Sequence, residues 1–264
     1  MIIRYDKGAD PALPRVFEAY DNTENKIGQC EVSVASCPMI WATRPVMITI
    51  RLEGDEAADA LLGAALTYSI VEAGKTGEKA CVRVALKPGD RHLDNLLDPL
   101  GFTGESSVIR LRMPLEEKPV KEELPEGLTI LRDYLHDSEE RRFYLERVNS
   151  IFGQRYDEEW LAERTSKPFF TRILLIDKNG AAAELSAWAE GPCGMADHLW
   201  VHKEWRRKGI GRYLMELARQ YWVSKGLSDA EVEVWDRLTP ALSLAESLGF
   251  QRIGRKVEYR YMDL

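Results

Sequence analysis

The sequence predicts an α/β fold with a mixed sheet, and two observations predict it. The first is a passage from strand to helix at residues 199–222. Apolar Leu199, Trp200 and Val201 run into a basic turn with two glycines. Ile210, Tyr213, Leu214, Leu217, Ala218, Tyr221 and Trp222 then follow at helical spacing. The second observation is repetition. Leu-Gly-Phe stands at 100–102 and again at 248–250, each time before a strand of alternating basic residues, Ile109–Met113 and Val257–Met262. Strand and long helix precede that ending in the same order in both copies. Two domains are therefore expected, 1–115 and 128–264. Residues 116–127 join them, because Pro114–Gly127, with three prolines and seven charged residues, has the composition of a connector.

In the first copy a helix is expected from about Asp55 to Ala73 and a strand from about Ala80 to Leu86. In the second, Leu128–Arg132 suits a first strand. Asp137 and Glu140 form an N-terminal capping arrangement before a helix that carries Phe143, Tyr144, Arg147, Val148 and Ile151. Another helix is expected near Asp157, with Trp160 and Leu161 toward the core. Phe169–Ile176 and Ala183–Ala189 read as strands about the turn Asp177-Lys-Asn-Gly180. Met195–Val201 feeds the basic turn. Ala230–Trp235 places Val232 and Val234 on one face and Glu231, Glu233 and Trp235 on the other. Thr239 as N-cap and Pro240 as first helical residue open the helix that ends at Gly249-Phe250. Two short strands through Tyr261 are expected to close the chain.

Strand, glycine turn and helix start together make a cradle for phosphate. The first N–H groups of a helix lack partners, and the helix dipole adds positive potential there. Glycines at 209 and 211 let an anion approach the main chain, and Arg206, Arg207, Lys208 and Arg212 supply charge. The spacing Arg-x-x-Gly-x-Gly lacks the Lys-Ser/Thr pair of nucleotide hydrolases and is not the Gly-x-Gly-x-x-Gly of dinucleotide sites. A basic surface turn whose glycines permit close strand–helix packing is the simpler alternative.

On this loop, the Leu-Gly-Phe ending and the order of elements over roughly residues 128–262, the second half resembles the GNAT N-acetyltransferases. The resemblance implies two GNAT-like domains in tandem, each a mixed, mostly antiparallel sheet flanked by helices. The first is truncated. It implies acetyl-CoA as co-substrate, held by Leu199, Trp200, Val201, Arg206, Arg207, Lys208, Gly209, Ile210, Gly211 and Arg212. The reaction implied is direct attack of a primary amine on the thioester in a ternary complex, with the acceptor wall within Tyr144–Trp160.

Glu233-Val-Trp-Asp-Arg-Leu238 is similar to the Glu-x-x-x-x-Asn of alanine-type N-terminal acetyltransferases, whose glutamate is the general base. That similarity implies Glu233 as the catalytic base here, although Leu238 replaces the asparagine. An exposed strand glutamate is the plain alternative, and Glu190, Asp197 and His198 are rivals. The family's usual tyrosine, one helical turn before Leu-Gly-Phe, is Ala245. This gap leaves a non-catalytic acyl-CoA-binding or protein-interaction module as the alternative to an enzyme. In the first copy the loop becomes Gly54-x-x-Ala57-x-Asp59. Asp55 and Glu56 suit a helix start but repel a pyrophosphate, so a structural role is expected there.

With 36 basic against 43 acidic residues the net charge is -7, which disfavours non-specific nucleic-acid binding and is compatible with a cationic amine, free or on a protein. Cys30, Cys37, Cys81 and Cys193 form no Cys-x-x-Cys pair. With His92, His136, His198 and His202 scattered, no metal is expected, and a reduced cytoplasmic setting fits best. The N-terminus lacks a signal-peptide apolar region and no 18-residue apolar run exists, so no membrane association is expected. A monomer or a homodimer is equally compatible with the sequence.

Overall fold

A computed structural model describes residues 1–5, 14–36, 46–117, 123–152 and 156–264. Cys37, positions 118–122 of the expected connector and positions 153–155 of the expected acceptor wall lie outside the described residues. In chain order the elements are β1 (Ile2–Tyr5), β2 (Arg15–Tyr20), β3 (Lys26–Ser36), β4 (Val46–Glu53), α1 (Ala58–Thr76), β5 (Ala80–Leu86), α2 (Arg91–Leu97) and β6 (Gly104–Pro114). Then come β7 (Thr129–Asp133), α3 (Ser138–Phe152), α4 (Glu158–Thr165), β8 (Thr171–Asp177), β9 (Gly180–Glu190) and β10 (Cys193–Val201). The last are α5 (Ile210–Ser224), β11 (Asp229–Trp235), α6 (Thr239–Ser247) and β12 (Gln251–Asp263).

These elements form two compact units. The first gathers Met1–Val108, the described residues Ile151 and Phe152, and Arg255–Leu264, the second Ile109–Ser150 and Tyr156–Gly254. Chain order and compact unit therefore do not coincide. The end of the chain belongs with the first unit, and most of β6 belongs with the second.

The first unit orders its strands β1-β2-β3-β4-β5-β12. Among the described residues β1–β2, β2–β3, β3–β4 and β5–β12 pair antiparallel, whereas β4 and β5, which α1 connects, are parallel, as parallel neighbours require a crossover. Leu61, Leu62 and Ala65 of α1 bury against Val32, Ile48, Ile50, Val82 and Val84. Burying such side chains contributes roughly 1.5–3 kcal/mol each for the larger ones. A turn at Asp55–Ala57 precedes α1, which starts at Ala58 rather than Asp55.

The second unit orders its strands β6-β11-β10-β9-β8-β7; β10 and β11 run parallel, while β7–β8, β8–β9 and β9–β10 are antiparallel. Helix α5 makes that crossover. Its apolar stripe, Leu214, Leu217, Ala218 and Trp222, packs on Leu111, Ile173, Leu175, Leu185, Ala187, Ala230 and Val232. The Trp222 indole comes so near β10 that a Cβ on Gly194 would lie 2.4 Å from its ring. Helices α3 and α4 cover the other face, burying Tyr144, Val148 and Leu161. Asp137 accepts from Glu139 and Glu140 N–H, and Asp157 from Trp160 N–H, so both helices start on carboxylate caps.

Two local expectations change. Leu238, not Thr239, is the N-cap of α6, because the Leu238 carbonyl already accepts from Leu242 N–H. The expected pair of closing strands is one continuous β12, since β5 offers Glu258–Asp263 an unbroken partner from Leu86 to Cys81.

Candidate functional site

The site is built by two strands that part. β10 and β11 pair from Cys193↔Asp229 to Ala196↔Val232, and no pairing between them continues beyond. On its other side β10 stays with β9 but through a bulge, Asp197 opposite Ser186 and Trp200 opposite Glu184. His198 sits in that bulge with φ 53°, an uncommon backbone for a residue with a Cβ. Where the strands diverge, backbone amides of Asp197–Val201 lose the ladder toward β11. The result is a cleft with polar main chain on one wall.

Directly after this cleft comes the basic turn. A single 3-10 turn at Lys203–Trp205 leads to Gly209 (φ 79°), the N-cap of α5, and among the described residues no side chain caps the helix. The first-turn amides are thus left for a ligand or water. Arg207, also at positive φ (63°), carries its side chain exposed. The other cations are held nearby: Arg206 Nε donates to Val201 O at 2.9 Å, Lys208 Nζ lies 4.7 Å from the Trp205 ring centre, and Arg212 Nη2 donates to Ser247 Oγ at 2.6 Å. Leu199 and Val201 pack toward the α5 core and Ile210 is buried in it. Trp200 points the other way and donates from Nε1 to Glu184 at 3.1 Å. Gly211 has a different role from Gly209, since a Cβ there would sit 3.1 Å from Leu244 Cδ2 of α6. It allows close packing of α5 on α6, a helix–helix contact where the simpler reading of the loop expected strand–helix packing.

The face covered by α3 and α4 carries the chemistry-bearing side chains. Val232 and Val234 point into the α5 core, so Glu231 and Glu233 point to the opposite face. Glu231 is buried and receives Arg110 Nε at 2.7 Å and Arg112 Nη2 at 3.0 Å. Burial pushes its carboxyl up, but the hydrogen bonds from the two arginines outweigh that and hold it below the usual carboxylate range. Glu233 is exposed, and its charge reaches Arg110. Asp197 Oδ1 accepts from His198 N–H at 2.8 Å, and its Oδ2 lies 3.7 Å from Arg164 Nη2.

Behind Asp197 lies an aromatic cluster around the buried His198. The Tyr144 hydroxyl meets Ser186 Oγ at 2.7 Å and His198 Nδ1 at 3.3 Å. Tyr156 and Trp160 stack with centres 3.8 Å apart, and both stand edge-on to the imidazole. Burial lowers the His198 pKa and raises those of Tyr144 and Tyr156. A neutral imidazole and two protonated phenols result at neutral pH. Deeper still, fully buried Glu184 accepts a fork from Arg147 at 2.7 and 3.0 Å, and Arg172 is paired with Asp133. These pairs fix α3 and β8 beneath the site.

Glu190 pairs with Cys193, at the end of β10 away from the cleft, which separates it from the other rivals for base. Ala245 is buried in the α5 core. The β10 bulge and the Tyr144–Ser186–His198 contact escaped sequence reasoning. The one signal for them was the polar pair Asp197-His198 inside an apolar strand. In the first unit the equivalent β4 pairs β3 without a bulge from Val46 to Glu53 and stays with β5 through Arg51↔Ala85. Its loop to the helix shrinks to Gly54–Ala57 and its helix opens on acidic Asp59.

A family model described as the acetyltransferase (GNAT) family matches residues 116–250. Mycothiol acetyltransferase of Thermobispora bispora is 26% identical over 213 residues, covering 75% of this chain and 70% of the relative. A GCN5-related N-acetyltransferase from Sphaerobacter thermophilus superposes with TM-score 0.55 at 16% identity, over 97% of this chain and 82% of that one. A tandem GNAT protein from the clavulanic acid biosynthesis pathway gives TM-score 0.53 at 14% identity, over 97% and 84%. At such identities both solved structures are alike in fold.

Proposed function

This chain belongs to the acetyltransferase (GNAT) family and is an N-acetyltransferase; on that premise we propose how its second unit carries out the transfer. The co-substrate is acetyl-CoA and the acceptor a primary amine, free or on a protein, attacking directly in a ternary complex. One observation carries the reading: β10 leaves β11 after Ala196↔Val232, immediately ahead of an uncapped helix start ringed by Arg206, Arg207, Lys208 and Arg212.

The residues present fit an anionic, extended donor. The backbone amides of Gly209, Ile210 and Gly211 at the start of α5 suit a diphosphate, with the Arg212 side chain beside them, and Leu199, Trp200 and Val201 would line the path of the chain that follows it. Bound acetyl-CoA supplies an activated acyl group and a thiolate leaving group. Main-chain N–H groups in the diverging stretch of β10 polarise the acyl carbonyl. Glu233, on β11 one residue past the last pair, takes the proton that the amine must lose before it is nucleophilic. The amine nitrogen then bonds the acyl carbon as the carbon–sulfur bond breaks; the nitrogen's surplus proton passes to solvent as the amide forms, and solvent protonates the thiolate sulfur, since Ala245 provides no acid. Holding amine and carbonyl in line contributes much of the rate. The first unit, whose equivalent strands stay paired and whose helix start is acidic, serves as structure. The buried thiols of Cys30 and Cys193 suit a reducing, cytoplasmic setting.

Calorimetry with acetyl-CoA and a measurement of amine-dependent release of coenzyme A test the proposal. Glu233→Gln is expected to lower kcat roughly 10²-fold or more, the usual share of a general base, with acetyl-CoA affinity unchanged. Unchanged turnover in that variant removes Glu233 as base. Absence of acetyl-CoA binding removes the site.

A further inference from the structure

Acetyl transfer needs the acceptor amine delivered to one spot beside the thioester, and the structure holds a carboxylate there that the chemistry above does not use. Resting on the reading just given, we propose that Asp197 is the specificity-determining residue that receives the acceptor's ammonium group, with Arg164 as its positioning residue.

Register places it. Met195 pairs with Glu231, so the two share a sheet face. Two residues further along each strand, on that same face, stand Asp197 and Glu233, and between them the ladder has just ended at Ala196↔Val232. Asp197 is thus the β10 carboxylate at the point where the cleft opens, opposite the proposed base on β11. An ammonium bound by Asp197 is already beside the group that deprotonates it.

Its surroundings hold it without satisfying it. Asp197 Oδ1 accepts the His198 N–H at 2.8 Å, which fixes the carboxylate on the bulge. Oδ2 lies 3.7 Å from Arg164 Nη2 and 3.9 Å from His198 Nε2, both beyond hydrogen-bond length. A carboxylate has about four lone-pair sites, so capacity remains for a charged donor. The side chain is 43% exposed, whereas the His198 side chain behind it is 4% exposed, so a ligand reaches Asp197 from the cleft and not from the core.

Arg164 is itself immobilised. Its guanidinium carbon lies 4.0 Å from the Trp188 ring centre and 5.3 Å from that of Trp160. Two indole faces leave the guanidinium edge directed at Asp197. A salt bridge at 3.7 Å between partly exposed groups stabilises little by itself. Its value here is orientation.

The test is steady-state kinetics of coenzyme A release, with a panel of glucosamine, cysteamine, 1,4-diaminobutane and an alanyl tripeptide amide as acceptors. Asp197→Asn keeps an oxygen for the His198 N–H and removes only the charge. It is expected to raise the KM of every accepted amine about tenfold or more, the size of a lost charge-assisted hydrogen bond, while the KM of acetyl-CoA stays within about twofold. Arg164→Gln should move the amine KM in the same direction by less. An unmoved amine KM in Asp197→Asn, or equal losses for both substrates, overturns the proposal. Wild-type protein that binds acetyl-CoA but turns over no amine overturns instead the acetyl-transfer reading on which it rests.

Discussion

Gly209 and Gly211 lie two positions apart and answer to different physics. Gly209 has φ 79°, and a Cβ built on it would meet nothing within 4 Å, so the demand there is on the backbone alone. A residue with a Cβ in that left-handed conformation costs about 1–2 kcal/mol. Gly209→Ala is therefore expected to lower stability by about 1 kcal/mol and to weaken acetyl-CoA binding several-fold, because the relaxed loop re-aims the first amides of α5. Gly211→Ala meets Leu244 instead. Alanine gains up to about 1 kcal/mol of helix propensity over glycine, which offsets the squeeze against Leu244 Cδ2. Its melting temperature should stay near that of the wild type. Calorimetric melting of both variants, with acetyl-CoA titrations, checks the contrast; a Gly209→Ala protein that melts and binds normally contradicts it. The motif located both glycines, but only the position of α6 assigns Gly211 its packing role, and spacing carries no information about a helix that arrives thirty-odd residues later.

At the scale of elements the bulge in β10 decides the site, and it was not legible. Met195–Val201 reads as one apolar strand broken only by the polar pair Asp197-His198, and a bulge leaves no mark in such a run except at the residue it displaces. That residue is His198. The bulge presses its imidazole between Tyr144, Tyr156 and Trp160, where burial lowers its pKa below the ordinary value of about 6.5. The unfolded chain then takes up a proton at a higher pH than the folded one. The stability contributed by neutral His198 is complete above about pH 6.5 and is lost as pH falls through the depressed folded value. Melting temperature should accordingly fall between pH 6.5 and 5, ahead of the carboxylate losses at lower pH. In His198→Gln, which cannot titrate, that slope should flatten. An identical slope in the variant would place the titrating group elsewhere. By contrast, the expected hairpin, the strand at Ala80–Leu86 and the alternation of Val232 and Val234 against Glu231 and Glu233 all appear as read, since local pattern alone specifies them.

At the scale of the whole molecule, the duplicated order of elements was legible and the allocation of strands to units was not. The strands that follow the two Leu-Gly-Phe endings both alternate with basic residues, so pattern cannot tell which sheet each one joins. In the structure β12 closes the first unit. Glu258–Asp263 pair with β5, Arg260 binds Asp94, Asp98 and the Phe102 carbonyl, and the Arg83 guanidinium lies 4.2 Å from the Tyr259 ring centre. Leu264 N–H donates to Ala80 O, so even the last residue is tied down. A stop codon after Gly254 would remove every one of these contacts while sparing the basic loop before α5, β10, β11 and α6. It would also expose one edge of β5 and leave Asp94 and Asp98 without their shared guanidinium. Amide exchange at Cys81–Leu86 should then quicken greatly, because those N–H groups lose their protected setting, while amides at Cys193–Ala196 serve as the internal reference. Unchanged protection of β5 in the shortened chain would show that β12 is a passive edge and that the first unit's core, centred on α1, stands without it.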